Sequence, residues 1–514
     1  TRNDKSRMGP SGGPITKDNT SVEYYGTIFA VAESWHEEGV IWAGTDDGRI
    51  HVTRNDGDSW TDVTPSGLPE WAQINSIDIH PFERGGVYVA ADVLFRTRDM
   101  GQSWETISPD LTRNDKSRMG PSGGPITKDN TSVEYYGTIF AVAESWHEEG
   151  VIWAGTDDGR IHVTRNDGDS WTDVTPSGLP EWAQINSIDI HPFERGGVYV
   201  AATRYKSDDF SPYLYRTTDW GDSWQQITNG IPGDEFTRVV RADPDRRGLL
   251  YAGTEQGIHY STDDGRNWES LQLNLPITPI TDLAVKEKDL VAATQGRGYW
   301  ILDDLTVLHQ SDDEVADKAA HLFTPRPAIR LTAGSRADEP GAAGTNPLVG
   351  AVFHYALAEE YDESTPVTLS IYEARGADPL WTWTRKPAVP DAEEKPSGPN
   401  DPPDTALLPA DKGLNRFVWD MRYPGMERFE NLIMWADMRQ GPKAVPGAYR
   451  AALTVGDLEQ EVTFEVIADP RSSSSQADYQ AQFDFIMETR DLVSAAHVEV
   501  RKVRQLRGQL EGLK

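Results

Sequence analysis

Short runs of alternating apolar and polar residues, broken by Gly, Asp and Pro, fill the first three-fifths of the chain. They fall into groups of four. One group is Thr27–Ser34, Val40–Thr45, Gly48–Asn55 and Ser59–Thr64; the next is Ile74–His80, Gly86–Ala91, Val93–Asp99 and Ser103–Ile107. The same two groups recur at 138–175 and 185–228, a fifth runs from Phe236 to Leu271, and a sixth, more degenerate, from Ile280 to about His309. Period-two patterning predicts strands, and groups of four short strands joined by turns predict the antiparallel blades of a β-propeller. The expected fold is therefore mainly β, with about six recognisable four-stranded blades.

One eight-residue turn recurs five times: Thr53–Trp60, Thr97–Trp104, Thr164–Trp171, Thr217–Trp224 and Ser261–Trp268, with the pattern S/T-x-D/N-x-G-x-S/N-W. The Asp or Asn can accept backbone N–H bonds and hold a tight turn. The Gly can take a positive φ. The Trp is expected to anchor the turn against its own sheet. These turns resemble the Asp-box, or bacterial neuraminidase repeat, of sialidases, sortilin-type receptor domains and xyloglucanase-type glycoside hydrolases. The phrases Thr45–Val52, Phe236–Arg241 and Gly298–Asp304 resemble a bacterial subgroup of these propellers labelled glycosyl hydrolase. The resemblance implies the fold; in those families the box lies away from the active site, so it names no chemistry.

Residues 1–91 and 112–202 are identical, at an offset of 111 positions. A recent tandem duplication or an artificial join accounts for such identity. The offset spans two blades and one long loop, so the strand pattern stays in phase. Thr1 corresponds to the middle of an inter-blade loop in the second copy, which points to a natural N-terminal part that is missing or replaced.

Past Gln310 the texture changes. The expected division is a propeller over 1–310, a polar linker over 311–322, a β-sandwich over 323–468 and a helical tail over 469–514. Strand-like runs at Ala351–Ala356, Pro366–Ala374, Leu380–Arg385, Leu414–Asp420, Tyr449–Val455 and Glu461–Ile467, the last two forming a hairpin about Gly456–Asp457, suit an immunoglobulin-like sandwich. Ala388–Pro403 reads as an exposed loop. Gly413–Asp420 with Val445–Tyr449 resembles accessory domains of the flagellar hook-cap type. In the tail, Phe483, Ile486, Val493, Val500, Val503 and Leu510 fall near one helical stripe. That stripe must pack on the sandwich or pair with a helix beyond Lys514; the second is favoured because no C-terminal cap is evident.

Charge and composition narrow the partners. The 82 acidic and 49 basic residues give a net charge of −33, which opposes binding to nucleic acid or anionic membranes. No cysteine is present, so disulfides and thiolate chemistry are excluded. No apolar stretch is long enough to insert into a membrane. No metal or other cofactor is expected. An extracellular or periplasmic location is expected from the resemblance.

Strand parity places the second-to-third strand turns and the inter-blade loops on the face opposite the Asp-box turns, where ligands bind in Asp-box families. The loop Pro109–Gly137 ends in Tyr135 and Tyr136, the next carries Trp182, and the expanded turn 204–213 carries Arg204 and Tyr205; the last blade adds Arg297 and Tyr299. Aromatic platforms with charged groups suit a peptide or glycan. Glu255 and Asp158 are the candidate pair for glycoside hydrolysis, which needs two carboxylates. Arg204, Arg238 and Arg297 could converge as a carboxylate-binding cluster, but the sialidase Arg-Ile-Pro signature and Tyr–Glu pair are missing. Gly9–Gly13 and Gly120–Gly124 match G-x-S-x-G without the following helix that a nucleophile elbow needs. The first expectation is a non-catalytic ligand-binding or scaffold protein, self-associating through its C-terminal helix; the alternative is a glycoside hydrolase, xyloglucanase-like or sialidase-like.

Overall fold

The computed structural model describes residues 27–68, 72–117, 136–331, 344, 346–362, 364–385, 407–429, 432 and 440–513. Tyr135, the loop Ala388–Pro403 and both G-x-S-x-G segments lie outside the described residues. The chain forms two compact units, Thr1–Leu302 and Asp303–Lys514.

The first unit contains six antiparallel sheets among the described residues, each paired in chain order. Sheet 1 comprises β1–β4 (Ile28–Glu33, Ile41–Thr45, Ile50–Thr53, Thr61–Asp62) and sheet 2 β5–β8 (Ser76–Ile79, Val87–Ala90, Leu94–Thr97, Glu105–Thr106). Sheet 3 comprises β9–β12 (Ile139–Glu144, Ile152–Thr156, Ile161–Thr164, Thr172–Asp173) and sheet 4 β13–β16 (Gln184–Ile190, Val198–Arg204, Asp209–Thr217, Gln225–Gln226). Sheet 5 comprises β17–β20 (Thr237–Ala242, Leu250–Thr254, Ile258–Ser261, Glu269–Ser270), and sheet 6 has three strands, β21–β23 (Ile280–Lys286, Asp289–Thr294, Tyr299–Leu302). Residues from the first strand of every sheet line one central channel. This arrangement is propeller-like.

The Asp-box turns form as the side-chain chemistry demands. In the fourth, Asp219 Oδ1 accepts from Ser223 N at 2.9 Å and Thr217 Oγ1 accepts from Gly221 N at 3.1 Å. The residue before each Gly is also left-handed, at Asp56, Met100, Asp167, Trp220 and Asp264. That position is strained for a side chain, and the turn holds it by these bonds.

The Trp does not anchor its own sheet. Its indole N–H reaches the preceding one: Trp104 Nε1 donates to Val63 O at 2.8 Å, Trp171 to Ile107 O at 2.9 Å, Trp224 to Val174 O at 2.7 Å and Trp268 to Ile227 O at 2.7 Å. The box is thus a clasp between neighbours, which spacing within one group cannot reveal. Arg96 and Arg98 of sheet 2 pair with Asp167 of the third box, and Arg216 of sheet 4 with Asp264 of the fifth, adding cross-sheet charge contacts at the same corner.

In the second unit, α1 (Thr306–Gln310) and α2 (Asp313–Ala316) precede, among the described residues, eight strands, β24–β31 (Ala320–Leu322, Ala328–Arg330, Ala351–Leu357, Val367–Glu373, Trp381–Thr384, Gly413–Trp419, Gly447–Val455, Leu458–Ala468). One sheet is ordered β24-β26-β29 and the other β25-β31-β30-β27-β28. Both contribute to a single core that includes Phe353, Tyr355, Leu369, Phe417, Trp419, Leu453 and Phe464. The hairpin about Gly456 and Asp457 forms, Gly456 taking φ 59.

The C-terminal helix α3 (Gln476–Gly512) starts with a capping box. Asp478 Oδ2 accepts from Ser475 N at 2.8 Å, and the Ser475 hydroxyl accepts from Asp478 N at 3.3 Å. Ser475→Ala is expected to cost this unit about 1 kcal/mol in a urea melt. Tyr479 is buried, and Phe483 and Met487 pack on the core shared by these two sheets, while Val500, Val503 and Leu510 are exposed. The stripe therefore divides: its start packs on the strands, and its end stays open.

Candidate functional site

Because the strands alternate in direction, the inter-sheet loops and second-to-third strand turns share one rim and the Asp-box turns take the other. On the first rim the structure brings several predicted residues together. Tyr136 and Trp182, from successive inter-sheet loops, meet edge to face at 5.1 Å. Trp182 holds φ 66, an uncommon conformation for a bulky residue. The Arg113 guanidinium lies 5.4 Å from the Trp182 ring, and Lys206 Nζ lies 5.9 Å from that of Tyr136 while donating to Gln184 Oε1 at 3.1 Å. Arg204 Nε donates to Glu181 O at 3.0 Å, and Arg204 faces Asp209 at 3.4 Å.

A second group follows around the rim. Tyr205 stacks on Phe236 with ring centroids 5.1 Å apart, and Arg238 sits over both at 5.8 and 5.2 Å. Arg238 also pairs with Glu255 at 2.7 Å. Phe210 is exposed beside Phe236. Arg297 and Tyr299 stand apart on sheet 6, Tyr299 largely exposed, and no described contact joins Arg297 to Arg204 or Arg238.

The candidate carboxylates have structural duties. Asp158 is buried; its Oδ1 accepts from Thr156 Oγ1 at 2.6 Å and its Oδ2 from Arg113 N at 2.7 Å. Neighbouring Asp157 accepts from Gly137 N at 2.9 Å and Thr138 N at 3.0 Å, fastening the stretch that leads into β9 to the turn after β10. Burial raises Asp157 to about 6 against those bonds.

The channel, about 750 Å³, carries charge that sequence reasoning missed. Arg241 Nη2 donates to Asp282 at 2.7 Å, Nη1 donates to Ser187 Oγ at 2.7 Å, and the guanidinium lies 3.9 Å from Asp189. Asp78 accepts from Glu144 N at 2.9 Å and Asp189 from Ala242 N at 2.7 Å, so each bridges to the next sheet. Burial pushes Asp78 to about 7 and Asp189 to about 6. Burial also lifts Glu144 to about 8; its carboxylate accepts from Gly150 N at 3.0 Å and lies 3.4 Å from His80.

His80, Glu83 and Glu149 approach one another closely enough to suggest a cation site. The protonation pattern opposes it. Phe82 N and Glu83 N both donate to His80 Nδ1, at 3.2 Å each, so the neutral ring keeps its proton on Nε2, the atom facing Glu83.

Arg113, Phe236 and the channel set Asp78, Asp189, Arg241 and Asp282 were absent from the predicted ligand site. For the channel the available signal was a charged residue at matching positions of several first strands. For Arg113 there was none, because its role depends on a loop folding back over Asp158.

No family model matches the chain. It is 27% identical over 216 residues to an oligoxyloglucan-reducing end-specific xyloglucanase of Emericella nidulans, a match covering 37% of this chain and 25% of that protein. It is also 27% identical over 137 residues to a xyloglucanase of Paenibacillus sp, covering 24% and 13% respectively. The chain thus spans a quarter or less of the length of these curated relatives. Among solved structures, the GH74 xyloglucanase from Xanthomonas campestris aligns with TM-score 0.43 and 16% identity over 54% of this chain and 45% of its own. YCF48 bound to D1 peptide aligns with TM-score 0.39 and 18% identity over 54% and 78%.

Proposed function

We propose that the chain is a glycoside hydrolase of the xyloglucanase kind, acting on a polysaccharide held on the rim opposite the Asp-box turns. The likeness to two xyloglucanases carries this reading. The aromatic ledges support it: Trp182 with Tyr136, and Tyr205 with Phe236, offer flat apolar faces for sugar rings, and Arg113, Lys206 and Arg238 offer donors beside them. On this reading the six sheets are blades of one propeller, residues 323–468 form an Ig-like sandwich, and the protein works outside the cytoplasm, extracellular or periplasmic. The open end of α3 would serve self-association.

A second reading is favoured by one observation. Asp158 is consumed by its turn and Glu255 by Arg238, which leaves a binder of glycan or peptide without turnover. Incubation with xyloglucan, read by release of reducing ends, separates the two. A hydrolase releases them and loses activity in Glu255→Gln; a binder releases none yet retains the glycan. In either case Trp182→Ala or Tyr205→Ala should weaken glycan binding at least about tenfold, roughly 1.4 kcal/mol, by calorimetry. Neither retention nor release across a panel of plant and bacterial glycans would sink both.

A further inference from the structure

The verbatim repeat contains its own control. Sheets 1 and 3 have the same residues, yet Ile28 and Val31 are 61% and 63% exposed where Ile139 and Val142 are 0% and 8%. The neighbour makes the difference. Ile139 and Val142 share a cluster with Leu94 and Ile107 of sheet 2. Sheet 1 has sheet 6 beside it, since Lys286 of β21 reaches Glu33 of β1 at 3.2 Å. Their apolar faces nevertheless do not cover one another: Tyr299 and Ile301 of β23 are 81% and 58% exposed. A wedge with two apolar walls lies between them.

We propose that this wedge is a docking site for a β-sheet element of a partner polypeptide. The four junctions closed by an Asp-box Trp specify its chemistry. In each, a two-residue outer strand is followed by Val or Ile: Val63, Ile107, Val174 and Ile227. The carbonyl of that residue accepts the next Asp-box Trp. The same residue fills the space at the box Gly, where a Cβ on Gly101, Gly168, Gly221 or Gly265 would meet it at 2.7, 2.6, 2.6 and 2.7 Å. At the wedge no described residue fills this receptor: among the described residues a Cβ on Gly57 would meet only Trp60, at 3.8 Å, and none accepts from the Trp60 indole. Asp56 occupies the place of Asp167, which in the second copy takes Arg96 and Arg98. The occupant is therefore an extended strand pair carrying a Leu, one or two Arg on its inner strand, and a polar-polar-Val/Ile outer strand.

A synthetic peptide with the sequence of Val93–Pro109, the hairpin that covers the second copy, tests this on the full chain. Expected is saturable binding by calorimetry with protection of β1 and β23 amides from exchange. Binding should weaken at least about tenfold in Trp60→Ala, in Val31→Asp, and when the peptide carries Ile107→Asp. Val31 is exposed, so its replacement leaves the fold intact. Absence of saturable binding, or binding indifferent to all three changes, overturns the proposal. So does concentration-dependent self-association without peptide that Val31→Asp abolishes, because a second copy would then occupy the wedge.

Discussion

Trp268→Ala should lower the stability of the propeller-like unit by about 3–5 kcal/mol, whereas Trp60→Ala should change it by about 0.5 kcal/mol or less. Both side chains close the same eight-residue turn. Trp268 is buried against sheet 4 and donates to Ile227 O at 2.7 Å, so truncation opens a cavity and leaves a buried carbonyl without its donor. Trp60 is exposed and has no acceptor among the described residues. Trp171→Ala, in the sequence context of Trp60 but seated on Ile107 O, should fall near Trp268. Guanidinium melts followed by circular dichroism read the three. Equal losses at Trp60 and Trp171 would mean that local turn chemistry, not the neighbouring sheet, sets the energy.

The second large effect is on pH dependence. Glu144 is raised by burial from 4.5 to about 8, so between those values the folded state holds a proton that the unfolded chain releases. Stability from this group is complete below about 4.5 and declines as pH rises through about 8. Asp78, raised to about 7, and Asp189, raised to about 6, tilt the curve the same way. Together they oppose the pattern of ion-paired carboxylates, whose lowered pKa favours neutral pH. Glu144→Gln mimics the protonated form and should stabilise the unit at pH 9 by a few kcal/mol, with little effect at pH 5. Glu33→Gln is the matched control, because Glu33 sits at the wedge with Lys286. Melting temperature across pH 5–9 reads the difference; parallel profiles for Glu144→Gln and the parent would refute the buried-proton account.

What could be read from the chain follows from how local each cause is. Strands, turn glycines and the hydrogen bonds of Asp219 depend on residues within one repeat, and the pattern placed them in the first five groups; the sixth, expected to hold four strands and to run to about His309, has three described strands ending at Leu302, and His309 lies in α1. The rim grouping of Tyr136, Trp182, Arg204 and Tyr205 was also legible, because strand parity alone decides which loops share a side. The Trp partner was not, since Val63 and Trp104 belong to different sheets. Asp78 and Asp189 were hidden among 82 acidic residues, and only enclosure by the channel distinguishes them. Asp158 looked available by its place in a turn, and folding spent it on Arg113 N. Ile28 and Ile139 mark the limit: one sequence, two environments, decided entirely by what stands next to each.

The tryptophan corners also bear on how the first unit comes apart. Sheets 2 to 5 are each held by their predecessor, so opening should begin at sheet 1, where no described residue supplies that hold, and advance in chain order. Limited proteolysis would then nick the 55–60 corner well before the identical 166–171 corner, and hydrogen exchange would show the first group of strands fraying while its twin stays locked. Two stretches of identical letters would behave as the loose end and the middle of one zipper.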